Sequence, residues 1–318
     1  MHQSGVELAK EKKLRIELYG GLGNQLLIYF AGLVLSKKSS RGLEIDFFWK
    51  DSIHSKVYDI TSIRLVGRIY RRNINPMVRS LVKILWRFRD SMSYRLTLYR
   101  KFEFYILGIF RESSNLSDSL KKNPEFLLMS SRKKVTLKGY FFSNKYFLNL
   151  QSSDLANFKI LSPSTEFLDI SKEITESHLI GIHLRKWEGN VESFGQLNEN
   201  YFLKALAKAR ETSGKNKFPI WIFVENSEDL NNFPNLTKSA DRILTPYDLP
   251  DPAETLFLLS LCRQLIISNS TFSYCAALIS DEGKTTVYAP WPFRPSSEGI
   301  NREDIHLQHW KQIETEWL

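Results

Sequence analysis

Cysteine is scarce, with only Cys262 and Cys275 in 318 residues, each inside an apolar run. That excludes a disulfide framework and a multi-thiol zinc site. Two small buried thiols in a reducing compartment are the expectation. Long apolar runs are missing too. The longest, residues 26–35, falls short of the about 20 residues needed to cross a bilayer and is broken by Gly32. Residues 1–13 are polar and mixed in charge, so neither a signal peptide nor an anchor is expected. The sequence has no Asp-x-Asp triplet, no HExxH, no CxxC pair and no tight histidine cluster, and so none of the common metal-holding patterns. Zinc-finger, RNP and helix-turn-helix signatures are likewise missing, and no nucleic-acid partner is expected. There are no internal repeats and no low-complexity tracts.

What remains is a chain that is 42% hydrophobic and 25% charged, long enough for two packed domains. Its net charge of +9 is concentrated: residues 64–101 hold eleven Lys or Arg against one acid, Asp90. Within that segment Val78, Leu81, Val82, Leu85 and Trp86 recur at helical spacing, with Arg79, Lys83, Arg87 and Arg89 between them. Residues 77–89 therefore read as a basic amphipathic helix. It suits the surface of an anionic membrane or packing on its own domain with a solvated face, and periodicity does not separate the two.

The opening reads strand (14–19), glycine turn (20–24), helix (25–37), strand (43–48), one βαβ unit. A β-rich stretch, 134–142, follows the basic segment, and the polar residues 151–165 read as a linker. A second α/β half begins with residues 179–184, whose unbroken apolar character suits a strand covered on both faces. It continues with a helix (201–211), a strand (219–224), a helix (252–262), a strand (264–268), a small-residue helix (272–279) and a strand (285–289). Residues 305–318 read as a closing helix. The expected organisation is an N-terminal domain over 1–160 and a C-terminal domain over 161–318, two Rossmann-like α/β domains facing a cleft.

A turn joining a buried strand to a helix aims free N–H groups and the positive end of the helix at an anion. Gly21 and Gly23, with Asp46 near the end of the next strand, partly fit the dinucleotide fingerprint, but Leu26 stands where its third glycine belongs. The turn also reads as a ligand-free βα turn with Asn24 as N-cap.

The run Gly20-Gly21-Leu22-Gly23-Asn24-Gln25, followed by Tyr29, Ala31 and Gly32, resembles the signature that opens the α-1,2-fucosyltransferases of glycosyltransferase family 11. Three further segments resemble that family in the same order: residues 139–147 (GYFFSNKYF), residues 182–186 (IHLRK) and residues 258–277, with Ser260-Leu261-Cys262 and Ser268-Asn269-Ser270-Thr271. The resemblance spans residues 16 to about 293 and leaves the basic segment poorly matched.

The resemblance implies a GT-B-like, metal-independent enzyme that needs no cofactor and moves L-fucose from GDP-fucose to a glycan hydroxyl. The acceptor it implies is the 2-hydroxyl of a galactose-containing glycan or lipid-linked oligosaccharide, taken on the N-terminal side, with the donor held by the C-terminal domain. Arg185 then neutralises the leaving diphosphate, where its planar fork suits phosphate oxygens. Lys186 assists, His183 is a catalytic or a buried structural histidine, and Glu188 is the candidate general base. Gly21, Gly23, Asn24 and Gln25 form one wall of the donor site, with Asn24 near the reacting atoms, and Ser268, Asn269, Ser270 and Thr271 form the wall across the cleft.

Departures from the family pattern lie at Lys186, Trp187 and Glu188, at Glu225-Asn226, and at Tyr274-Cys275. They leave open a different nucleotide sugar, or a glycan- or nucleotide-binding protein without catalysis. The implied setting is cytoplasmic, with residues 77–89 peripheral on the inner face of the cell membrane.

Overall fold

The structure is a computed structural model and describes residues 12–47, 59–70, 109–111, 131–155, 158–185, 194–214, 217–280, 283–295, 301–315 and 317. The basic segment 77–89 and residues Lys186, Trp187 and Glu188 lie outside them.

The chain forms two compact units. The first takes Met1–Tyr19, Ile28–Ser55 and Val66–Phe141; the second takes Gly20–Leu27, Lys56–Leu65 and Phe142–Leu318. The division after residue 141 replaces the one expected after 160. Residues 142–160 are tied into the second unit: Asn144 Nδ2 donates to the carbonyls of Glu303 and His306, Phe158 stacks on Phe257 at 5.3 Å, and Ile160 bridges to Ile63.

The first unit is a five-stranded parallel sheet. Its strands are β1 (Lys13–Glu17), β2 (Gly42–Asp46), β3 (Arg68–Tyr70), β4 (Ile109–Arg111) and β5 (Lys134–Lys138), in spatial order β3-β2-β1-β5-β4. Helix α1 (Leu22–Lys38) follows β1, and its residues 26–35 are buried on every side, so the longest apolar run of the sequence is a core helix. Alternation along paired strands sorts the sheet into two faces. Leu14, Ile16, Leu43, Ile45, Val135 and Leu137 share one. The other carries Arg15, Glu17, Glu44, Asp46 and Thr136, all nearly buried. Charges at such depth must be paired. Arg15 donates to Glu44 through Nε at 3.1 Å and Nη2 at 2.7 Å, Lys13 meets Glu44 at 3.1 Å, and Lys138 meets Glu17 at 3.0 Å. Burial raises the Glu44 pKa, but Arg15 and Lys13 outweigh it and hold it below the usual value.

The second unit is a six-stranded parallel sheet of β6 (Ile180–Leu184), β7 (Ile220–Val224), β8 (Arg242–Leu244), β9 (Gln264–Ile266), β10 (Thr286–Trp291) and β11 (Lys311–Glu314), ordered β11-β10-β9-β6-β7-β8. The path runs outward from β6 through β7 to β8, then returns beside β6 as β9, which is the doubly wound order of a Rossmann fold. Among the described residues, its helices of five residues or more are α2 (Thr165–Ser177), α3 (Glu199–Ser213), α4 (Pro234–Lys238), α5 (Pro252–Leu261) and α6 (Thr271–Ile279). The architecture of two Rossmann-like parallel-sheet domains, GT-B-like in class, is as the sequence implied.

β6 and β7 are buried at every residue, which accounts for their unbroken apolar runs. The polar stretch 151–165 ends in the N-cap of a helix the sequence reading passed over: Ser164 Oγ accepts from Phe167 N–H at 3.0 Å and opens α2. The closing helix expected over 305–318 is not formed. Residues 311–314 pair in parallel with β10 as the sheet's edge, and Ile313 is buried in the core.

Candidate functional site

Doubly wound sheets bind ligands beyond the carboxyl ends of their strands, where the order reverses. In the second unit that point lies between β6 and β9, and the sequence candidates converge there. β6 delivers His183 and Arg185; the residues after β9 are Ser268 to Thr271. His183 Nδ1 and Ser268 Oγ lie 2.9 Å apart across the reversal, and Phe272 stacks on the imidazole at 5.2 Å with a 29° interplanar angle.

His183 is fully enclosed, and burial first, then the nearby Arg185 charge, lowers its pKa to about 3. It is neutral at physiological pH and ties the two strand ends through Ser268.

The turn after β9 spends its side chains internally. Ser268 contacts Ser273 Oγ at 3.4 Å as well as His183. Asn269 Nδ2 donates to the carbonyls of Phe194 at 2.8 Å and Gly195 at 3.1 Å. Ser270 is the N-cap of α6 and accepts from Phe272 N–H at 3.3 Å. What the turn presents to a ligand is the half-buried Thr271 and the positive end of α6.

The glycine turn belongs to the same unit, and it meets the second turn directly rather than facing it from another domain. A side chain at Gly23 would overlap the backbone of Thr271 and Phe272, so this glycine is required for contact between two helix N-termini, not for approach to a ligand. The Cys275 thiol donates to the Gly23 carbonyl at 3.3 Å and fastens the contact. Both cysteines are free and buried, as composition implied. Gly21 is exposed, has open space where a Cβ would sit and accepts the first helical bond, from Gln25 N–H at 3.0 Å. Gly21, not Asn24, is therefore the N-cap. Gln25 is fully buried, and its Nε2 donates to the Gly20 carbonyl at 2.8 Å, so it braces the turn from within. Asn24, in the first helical turn, is half-buried.

Arg185 forms an ion pair with Glu225. The partner follows from register: Leu184 lies beside Val224, so the next residues of β6 and β7 adjoin. Sequence reasoning noted Glu225 as a family departure and did not join it to Arg185; aligning the runs IGIHLR and IWIFVE finds the pair. Gln196 also escaped notice. Its Nε2 donates to the Arg185 carbonyl at 3.4 Å and the Leu197 carbonyl at 3.3 Å. It carries no motif.

Two helix N-termini in contact make a focus of positive partial charge suited to an anion such as a diphosphate, while the Arg185 guanidinium is balanced by Glu225 and the histidine is neutral. Residues 122–314 match the family described as Glycosyl transferase family 11. An alpha-1,2-colitosyltransferase of Escherichia coli is 22% identical over 306 residues, covering 93% of this chain and 97% of the relative. Among solved structures, an Arabidopsis thaliana FUT1 variant in complex with GDP aligns at TM-score 0.49 and 13% identity over 88% of this chain and 71% of that one. Fucosyltransferase NodZ from Bradyrhizobium aligns at TM-score 0.47 and 12% identity over 85% of this chain and 94% of that one.

Proposed function

Because the chain belongs to glycosyl transferase family 11, we propose that it transfers L-fucose from GDP-fucose to a sugar hydroxyl, with inversion, giving an α-linked product on the 2-hydroxyl of a galactose residue. The observation that carries the donor half of this reading is the convergence of the N-termini of α1 and α6 with Arg185 at the order reversal between β6 and β9. Sugar transfer requires that the charge growing on the leaving diphosphate be stabilised and that the acceptor hydroxyl lose a proton. Backbone N–H groups already oriented at two helix ends meet the first need without reorganisation, and Arg185 adds a bidentate cation. In this scheme the incoming diphosphate displaces Glu225 from Arg185, and the reaction proceeds without metal. Glu188 is retained as the candidate base and Lys186 as an accessory cation.

The E. coli relative favours a second donor of the same class, GDP-colitose, because colitose is fucose without its 3-hydroxyl. The deciding experiment supplies GDP-fucose, GDP-colitose and GDP-mannose in turn with lactose as acceptor. Released GDP is measured and the product linkage determined by NMR, with and without EDTA. Fucosyl transfer unaffected by EDTA is expected; preference for GDP-mannose, or loss of activity with the chelator, would overturn the corresponding part. The proposed setting is surface-glycan synthesis at the inner face of the membrane.

A further inference from the structure

The first unit has its own order reversal, between β1 and β5, and an aromatic pair stands there. Tyr19 lies two residues past the end of β1 and Tyr140 two residues past the end of β5. Their ring centroids are 4.9 Å apart and the planes are inclined at 58°, so the pair offers an angled surface rather than a closed sandwich. Tyr140 is 47% exposed, although an aromatic ring at the end of a central strand would ordinarily be drawn inward.

The backbone explains why it is not. Gly139 has φ 153° and Phe141 has φ 53°, so the chain is turned on both sides of Tyr140; the Phe141 ring goes fully inside while the Tyr140 ring is held out. A bulky residue in the left-handed region is strained, and such strain persists where the surroundings enforce it, commonly at ligand sites. Directly before the two tyrosines, the buried Glu17–Lys138 pair, at 3.0 Å, fixes the spacing of the two strand ends.

We propose that Tyr19 and Tyr140 form the platform on which the acceptor's pyranose ring rests. The proposal rests on the glycosyl-transfer reading and adds to it a binding subsite in the first unit. The ligand class follows from the surface. A pyranose has one face lined by C–H groups, apolar and faintly positive, which complements the negative face of an aromatic ring. The hydroxyls around its edge require polar tips beside that face, and tyrosine supplies both with little conformational entropy to lose. Burial holds the Tyr140 pKa above its ordinary value, so its hydroxyl remains a neutral donor and acceptor. The position also suits a small ligand, being the carboxyl edge of a doubly wound sheet at its reversal.

The test uses the full chain with lactose as a galactose-terminated probe. Tyr140→Ala and Tyr19→Ala are expected to raise KM for lactose at least about tenfold, a change equivalent to about 1.4 kcal/mol. KM for GDP-fucose and the slow hydrolysis of GDP-fucose without acceptor should stay within twofold of wild type. Tyr140→Phe and Tyr140→Trp, which keep a ring, should restore lactose KM to within threefold. An unchanged lactose KM in Tyr140→Ala, or an equal rise in KM for both substrates, overturns the platform. Saturation-transfer NMR of lactose on the donor-free protein separates this inference from the reading beneath it. If wild type transfers nothing, the glycosyl-transfer reading fails, and the platform stands only if the lactose signal is present in wild type and lost in Tyr140→Ala. No lactose signal in wild type, or equal signals in both, refutes it.

Discussion

Replacing Gly23 with alanine separates two explanations of the glycine turn by the sign of a stability change. If the glycine served only to let a ligand approach, alanine in the first turn of α1 would stabilise the chain by about 0.5–1 kcal/mol through helix propensity and a less flexible unfolded state. The geometry predicts the opposite. A Cβ at Gly23 meets the Thr271 carbonyl and the Phe272 amide, which are backbone atoms and cannot rotate aside. Either α1 or α6 must shift, and forcing an extra methyl into a packed contact costs typically 1–3 kcal/mol. Allowing for the propensity gain, the net loss is about 1–2 kcal/mol, or roughly 2–8 °C in the melting of the second unit.

Differential scanning calorimetry measures this, with Gly21→Ala as comparator. Gly21 has open space around its would-be Cβ and loses only an N-cap preference, so its cost stays below about 1 kcal/mol. A melting temperature for Gly23→Ala equal to or above wild type would refute the packing argument. Donor kinetics add a second readout. Displacing one helix N-terminus should weaken GDP binding in Gly23→Ala at least about tenfold, since preorganised dipoles lose their value when misaligned by an ångström.

Other expectations follow from the same geometry. Arg185→Ala should lower kcat/KM for transfer by about 100-fold or more with melting unchanged, and Arg185→Lys should recover only part of it because the fork is lost; transfer retained in Arg185→Ala would remove that residue from the mechanism. Glu225→Gln should tighten GDP binding severalfold by calorimetric titration, since a neutral amide competes less for the guanidinium; weaker binding would mean that Glu225 positions Arg185 instead. Burial, then the charges of Arg185 and Arg302 respectively, depress the folded-state pKa of His183 to about 3 and of His306 to about 4. The unfolded chain therefore binds more protons at acid pH, and stability present above about pH 6.5 is lost as pH falls toward those values, at about 1.4 kcal/mol per pH unit for each histidine. Denaturant midpoints for His183→Gln and His306→Gln should show a shallower acid limb; slopes identical to wild type would contradict the shifts. Sedimentation with anionic vesicles tests residues 77–89: reversing Arg79, Lys83 and Arg87 to Glu should abolish a salt-sensitive interaction, and an absence of wild-type sedimentation would end the membrane proposal.

Much of the fold was legible because parallel strands advertise themselves: residues 180–184 and 220–224 are continuous apolar runs, and a strand covered on both faces has no polar side to show. The closing residues misled for a related reason. Ile313 and Trp317 are spaced as on a helix, but a helical face and a short edge strand look alike when only a few apolar positions are available, and β10 offered an unpaired edge. The site divided along the same line. Arg185 and residues 268–271 could be singled out because their motifs resemble the family's, and each follows a buried strand whose end is visible in sequence. Their partners could not, since contacts between elements leave no local signal: Gly23 against Thr271, Arg185 with Glu225, and Asn269 on the carbonyls of Phe194 and Gly195 join residues 40 to 248 positions apart, so each depends on folding to be seen.

The same contacts reassign the glycine turn. Gln25 is consumed by the Gly20 carbonyl and Gly23 by the backbone of α6, which leaves the exposed Gly21 and the half-buried Gly20 and Asn24 as the residues of that turn open to solvent. Signature residues thus serve two purposes at once. Some build the junction of two helix N-termini, and fewer face the ligand that the junction attracts. The acceptor platform proposed at Tyr19 and Tyr140 lies outside that signature, at a different strand reversal in a different unit.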